Sequence, residues 1–344
     1  MPLPALEFVA LEGDLAPIVG GLPTGARVAQ LLGPGGRSLM LAQASNLKKW
    51  AASHLGLGDP PPPGRRPKTN LAGIATRFGW ARTGSPFGQR LLYERLIAPL
   101  IPVAERRDLK PPAFLRLDPG ERFPRVTVRD AEEEVAGRFG PFRSRRAAEK
   151  ARDTVNRLFA LRPCDFAFEP DPALPLGLGC LYAQVSSCAA PCLARLAEGD
   201  YRAIAARAAA WLAEPSARPD APPEVPAVVG AVAGARAVVV GVGCREVELY
   251  PVREGRVLEA AATSTPAAGI EEALARTEWP ASEGPADWPW LAAWLTSPRG
   301  RGSYFVVRDL DDRNGLAEAI RSVLPQRFAR PPGGDNVEAS KGEE

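Results

Sequence analysis

The sequence predicts a mixed α/β chain, and three observations carry that prediction. Short apolar runs bounded by Gly and Pro read as strands, the clearest being 26–32 and 37–42 on either side of Gly33-Pro34-Gly35-Gly36. Other runs place apolar residues three and four apart, the period of a helix with one buried face. The two kinds of run are interspersed along 344 residues, about two domains' worth of chain.

Each element has its own reason. A short helix is expected over 46–55, and a helix within 87–99 carries Leu91, Leu92, Leu96 and Ile97 as a core stripe. Strands at 113–117 and 125–128 flank the turn Asp118-Pro119-Gly120. Ser144 caps a helix reaching about Leu161, with Ala147, Ala148, Ala151, Val155 and Leu158 inward and Arg145, Arg146, Lys150, Arg152 and Arg157 in water. An alanine-rich helix covers 199–212. Further on, strands are expected at 237–241, 246–252, 257–262 and 304–308, and helices at 269–276, 288–295 and 315–323. That order is compatible with a ribonuclease-H-like sheet.

Composition narrows the function classes. Apolar residues make up 45% of the chain, yet no run of about 18 uncharged apolar residues exists, so no membrane span or membrane partner is expected. Acids in the opening MPLPALEFVALEGD argue against a secretory leader. The expected location is cytoplasmic, where thiols stay reduced. Residues 1–150 hold 23 Lys and Arg against 14 Asp and Glu, while 151–344 hold 20 against 26. A basic half joined to an acidic half fits one surface that meets a polyanion, although ordinary surface variation gives the same asymmetry. The proline-rich 58–68 reads as a loop and 214–226 as a domain boundary. The expected division is 1–135, 136–215 and 227–330, with a disordered tail at 331–344.

Cys164, Cys180, Cys188 and Cys192 fall within 29 residues at the spacing C-x15-C-x7-C-x3-C. Four thiolates suit tetrahedral zinc or an iron–sulfur cluster, and the absence of a tight C-x2-C pair leaves zinc, a cluster and plain buried thiols all open. Cys244 stands apart and reads as a small core residue.

The stretch FGPFRSRRAAEKARDTVNRLFALRPC, followed by LGCLYAQVSSCAAPCLARLAEGDY, resembles the middle of the UvrC family of the ABC excinuclease. The likeness rests on Gly140, Pro141, Phe142, Phe159, Leu161, Arg162, Cys164, Cys180, Leu181, Tyr182, Cys188, Ala190, Pro191, Cys192 and Tyr201. It implies that the four cysteines hold a 4Fe–4S cluster, with zinc as the alternative. A weaker likeness in SLMLAQASNLKKW and FLRLDPGERFPRVTV extends back to that family's GIY-YIG nuclease domain.

The departures are as informative. The first catalytic tyrosine position holds Arg27, the second Met40, the following glycine Ala42 and the helix arginine Trp50. The metal-binding glutamate aligns with Tyr93, next to Glu94. Met and Trp neither transfer a proton nor hold a divalent ion. Glu94 is the weak catalytic candidate, and as a solvated helix residue paired locally it has an ordinary reading too. His54 is the only histidine, which excludes His-based triads, and it reads as a packing residue. Glu246 and Glu248 share one face of a strand and read as outward polar residues, while Asp309, Asp311 and Asp312 read as an acidic turn into a helix. Trp279, Trp288, Trp290 and Trp294 read as core rather than as base-stacking residues.

The basic helix beside the cysteines supplies the DNA-contact candidates Arg143, Arg145, Arg146, Lys150 and Arg157. The expected function is a UvrC-like nucleotide-excision-repair protein, a cluster-stabilised scaffold for DNA or other repair proteins with a degenerate GIY-YIG-like domain. The alternative is an active Mg²⁺- or Mn²⁺-dependent excinuclease using Glu94. A third reading is a zinc-stapled protein-interaction module.

Overall fold

The computed structural model describes residues 3–325 apart from positions 26, 61–63, 65, 67, 108, 131–136, 175–179, 214–229, 232–235, 244–245, 254, 278–285, 298–302 and 307–311. Cys244, Trp279, Asp309, Asp311, the 214–226 boundary and the 331–344 tail therefore lie outside the described residues. The architecture is mixed α/β, as the sequence predicts, with its strands in three antiparallel sheets.

The first sheet runs in the order β1 (Glu7–Ala10), β4 (Arg77–Ala81), β2 (Arg27–Leu32), β3 (Ser38–Ala44). The expected hairpin is β2 and β3, in register from Arg27 opposite Ala44 to Leu32 opposite Ser38. Gly35 and Gly36 make the turn at φ of 67° and 76°, which a side chain would oppose. Preceding β2 is α1 (Leu15–Gly21). After β3, α2 (Leu47–His54) starts on Asn46, whose Oδ1 accepts from Lys49 N at 3.0 Å, a cap worth about 1 kcal/mol. His54 closes that helix buried against Trp50, with ring centroids 4.8 Å apart, and burial lowers its pKa. The packing reading of His54 thus agrees with its position.

The second sheet runs β6 (Thr127–Asp130), β5 (Ala113–Arg116), β7 (Arg138–Phe142), β8 (Gly230–Ala231). Two helices cover it, α4 (Arg145–Phe159) and α6 (Glu198–Ala213). Ser144 caps α4, as expected, accepting from Ala147 N at 3.3 Å. Ala148, Ala151 and Val155 face the core, but Leu158 does not: it is 54% exposed. The last turn of α4 is covered instead through Phe159, which packs on Trp211 of α6 with centroids 5.8 Å apart. Residues 113–130 and the two helices share one core, on both sides of position 135.

The third sheet runs β11 (Arg256–Val257), β10 (Val247–Arg253), β9 (Arg236–Val242), β13 (Ser303–Val306), with β12 (Thr263–Thr265) also on β10. Alternation places Val238 and Val240 on one face, against α7 (Ile270–Arg276) and α9 (Arg313–Val323). Ala237 and Val239 take the other face, with α8 (Trp288–Leu295) and α3 (Pro86–Ile97) of the first unit. Trp288, Trp290 and Trp294 are buried there, in agreement with the core reading. Asp312 caps α9, its Oδ1 accepting from Gly315 N at 2.9 Å.

One expected strand is corrected. Residues 257–262 do not form a single strand but split into β11, a turn over Glu259–Ala261, and β12. The break has a cause: Leu258 N still donates to the Pro251 carbonyl of β10 at 2.7 Å, but Pro251 has no N–H to return the second ladder bond, and the pairing ends there.

Candidate metal centre and nucleic-acid interface

The positions that would hold nuclease side chains are occupied by packing and by ion pairs. Met40 and Trp50 pack on the core of the first sheet. Glu94 is not solvated, which corrects the surface reading of this residue: it is 3% exposed on α3. Arg90 Nη2 lies 2.5 Å from its Oε1, and Arg106 grips both carboxylate oxygens, with Nη2 at 3.2 Å from Oε1. A metal at this carboxylate would have to displace two guanidinium groups in a low-dielectric site.

Nothing local in the sequence signals what α3 does on its other face. Phe87, Leu91 and Arg95 are spaced i, i+4, i+8 and form one stripe against the third sheet. At the start of the helix, Glu248 of β10 accepts from Gly84 N at 3.1 Å, from the Tyr250 hydroxyl at 2.7 Å and from the Ser85 hydroxyl. Glu248 is 4% exposed, so its outward reading is corrected, whereas Glu246 precedes the strand and is exposed. The approach is close enough that a Cβ on Gly84 would sit 2.4 Å from Glu248 Oε1. Near the helix end, Arg95 binds Asp287 at 2.7 and 2.8 Å and Glu259 at 2.9 and 3.0 Å, and donates to the Val257 carbonyl at 3.1 Å. Asp287 also accepts from Trp290 Nε1 at 2.8 Å. The carboxylates of this sheet that come nearest to α3 are thus committed to holding it.

The four cysteines of the block lie on a segment tied down at several points. Arg162 is the anchor: its backbone N donates to the Tyr201 hydroxyl at 2.8 Å, its Nε to the Phe123 carbonyl at 3.0 Å and its Nη1 to the Phe166 carbonyl at 2.8 Å. Tyr201 is fully buried and donates its own hydroxyl proton to the Pro124 carbonyl at 3.2 Å. Ala189 N donates to the Ala160 carbonyl at 2.8 Å, which brings the Cys188 loop onto the end of α4. Asp171 N donates to the Cys192 carbonyl at 3.0 Å. Ala160, Ser186, Ala190 and Ala194 take left-handed conformations with φ between 49° and 54°, and all four fall in this block. Such a conformation is unfavourable for a residue with a side chain and persists only where the surroundings impose it.

The thiols are mutual neighbours. Burial pushes the Cys188 thiol up to about 11, and Cys164, Cys180 and Cys192 add to that shift by like-charge repulsion. Cys192 is raised for the same reasons, with Cys180 and Cys164 as its neighbours. Backbone N–H groups oppose the shift: Ala190 N lies 3.4 Å from Cys188 Sγ, and those of Cys192 and Leu193 act on the Cys192 sulfur. Among the described residues, however, no group of three or more His, Cys, Asp or Glu side chains is placed to hold a metal ion. All four sulfurs are free thiols. The donor chemistry suits a soft metal centre, since four thiols are soft ligands and N–H groups aimed at sulfur favour the thiolate.

Along α4, Arg146, Lys150 and Arg157 stand exposed and make no ion pair among the described residues. Their spacing of four and seven places them on one side of the helix over roughly 16 Å. Arg143, just before the helix, is exposed as well. Arg145 differs, being held by Asp130 at 3.3 Å and Glu149 at 3.4 Å.

These elements coincide with a known domain. Residues 113–211, from β5 through α6 and including all four cysteines of the block, match the family described as UvrC/Cho excinuclease, middle domain. Over this stretch the chain is similar to UvrC. UvrABC system protein C of Pseudarthrobacter chlorophenolicus is 29% identical over 202 residues, which is 57% of this chain and 29% of that protein. The protein of the same name from Paenarthrobacter aurescens is 30% identical over 194 residues, 55% of this chain and 28% of the other. That of Geobacter sp. is 36% identical over 107 residues, 31% of this chain and 16% of the other. The chain therefore spans less than a third of the length of these curated relatives. No solved structure matches it. Among the described residues, no helix is long and apolar enough to cross a membrane.

Proposed function

We propose that this UvrC relative is a nucleotide-excision-repair protein that binds DNA, together with other repair proteins, through a cluster-stapled middle domain, and that it does not itself cut. The observation that carries the reading is the pairing of two features in the UvrC-type domain: four neighbouring thiols and, beside them, the cationic row Arg146, Lys150, Arg157 on α4. Cys164, Cys180, Cys188 and Cys192 would hold a 4Fe–4S cluster, which would serve as a structural staple joining the 160–192 loops. A cluster is preferred to zinc because the cysteine block lies within the UvrC-type domain, although four thiolates by themselves suit either.

Absence of cutting is supported by Glu94, whose carboxylate is taken by Arg90 and Arg106, and by the packing roles of Met40 and Trp50. The division into a degenerate nuclease-like first unit, a middle domain and a C-terminal α/β unit belongs to the same proposal.

Phosphate neutralisation makes binding salt-dependent, with a log–log slope near −0.9 per contact on duplex DNA. Replacing Arg146, Lys150 and Arg157 together by Glu is expected to weaken binding to a fluorescein-labelled 20-bp duplex at least about tenfold at moderate salt, and to flatten the slope by roughly 3. Fluorescence anisotropy across a salt series measures both. Unchanged affinity and slope would remove α4 as the DNA-binding face.

A further inference from the structure

The most solvent-exposed aromatic ring in the middle domain is Phe166, 64% exposed yet held in place. Its carbonyl accepts from Arg162 Nη1 at 2.8 Å, and its ring lies nearly parallel to that of Phe168, with centroids 6.4 Å apart and planes 14° apart. Phe168 in turn packs on the buried Phe123 at 5.0 Å. The Arg162 guanidinium covers Phe168 at 5.2 Å from its centroid. The three rings thus form a ladder, rooted in the core at Phe123 and rising through Phe168 to an open face at Phe166.

An exposed ring fixed in this way is unlike an ordinary surface phenylalanine. Its ordering is supplied by Arg162, which also orients the Cys164 segment through Tyr201. A fixed flat π-face with one side free is the surface on which another flat ring stacks without losing much freedom. It belongs to the segment that continues from the end of α4, the helix that carries the cationic row. Nearby acid is partly neutralised, since Glu169 is bound by Arg122 at 2.8 Å. Stacking itself needs no charge.

We infer that Phe166 is a stacking platform for an unpaired base of single-stranded DNA bound by the middle domain. This rests on the DNA-binding reading above and goes beyond it, because it assigns a strand preference to the middle domain. Duplex DNA keeps its bases stacked on one another and offers the platform nothing. Base–aromatic stacking is sequence-tolerant, so the preference would be for unpaired nucleotides of any sequence.

The test uses the full chain and three labelled probes of equal length at one salt concentration: a dT15 strand, the same strand with abasic sites throughout its centre, and a 15-bp duplex. The expected result is that dT15 binds about tenfold more tightly than the abasic strand, which keeps its phosphates and lacks the bases. Phe166→Ala should abolish that difference while leaving binding to the abasic strand and its salt slope unchanged. Phe166→Trp, which keeps a flat ring, should preserve or strengthen it. Equal binding of dT15 and the abasic strand, or a dT15 preference that survives Phe166→Ala, would overturn the platform while leaving DNA binding by α4 in place. No binding of any probe would overturn the DNA-binding reading and the platform with it.

Discussion

Glu248→Ala is expected to destabilise the protein by about 3–5 kcal/mol, among the largest effects of any single substitution outside the cysteine block. The carboxylate is buried and takes three donors, from Gly84, Ser85 and Tyr250. Truncation leaves those donors in a space closed to solvent, each at a cost of about 1–3 kcal/mol. Ser85 has a further role, because its hydroxyl also accepts from Gly88 N at 3.0 Å and so caps α3. The effect therefore reaches both the third sheet and the helix packed on it. In thermal unfolding followed by circular dichroism, Tm should fall by roughly 10 °C or more. Glu246→Ala, two residues away and exposed, should change Tm little. A Glu248→Ala protein as stable as the parent would mean that the first unit and the C-terminal sheet are not held together by this contact.

The second large effect is expected at Cys188, the one buried sulfur of the four. In a cluster-stapled domain, binding the metal centre and folding the loops are one equilibrium, so losing a ligand removes much of the binding free energy from folding. Cys188→Ala purified without oxygen should lose most of its iron and sulfide and unfold at clearly lower temperature, by several kcal/mol of stability. Without a metal, the same substitution in a well-packed site costs only about 1 kcal/mol. Elemental analysis alongside Tm separates the two cases. Full iron content with unchanged Tm would contradict the role of Cys188, and zinc without iron or sulfide would make the staple a zinc site.

Elements whose signals are local were legible in the sequence. The hairpin turn at Gly35 and Gly36, the Ser144 cap and the tryptophan helix all lie within a few residues of the features that announce them. What was not legible depends mostly on partners far away in the chain. Glu248 reads as an outward strand residue until α3 is laid over β10, with Gly84 164 positions distant. The strand expected over 257–262 breaks after Leu258 because its partner in β10 is Pro251, which cannot donate to the ladder. Glu94 reads as solvated because the guanidinium that buries it comes from Arg106, beyond the end of its own helix. Leu158 follows the inward phase of α4 but lies in the last turn, where Phe159 and Trp211 make the contact. The aromatic ladder went unread because Phe123 lies 45 residues from Phe168 and only the fold stacks them.

Whether this protein grips DNA without cutting it is decided on an agarose gel. Supercoiled plasmid, intact and ultraviolet-damaged, is incubated with anaerobically purified protein and Mn²⁺. The expected result is retarded plasmid that salt releases intact and still supercoiled. Metal-dependent nicking that disappears in a folded Glu94→Gln variant would contradict it and place a working nuclease centre at the carboxylate between Arg90 and Arg106.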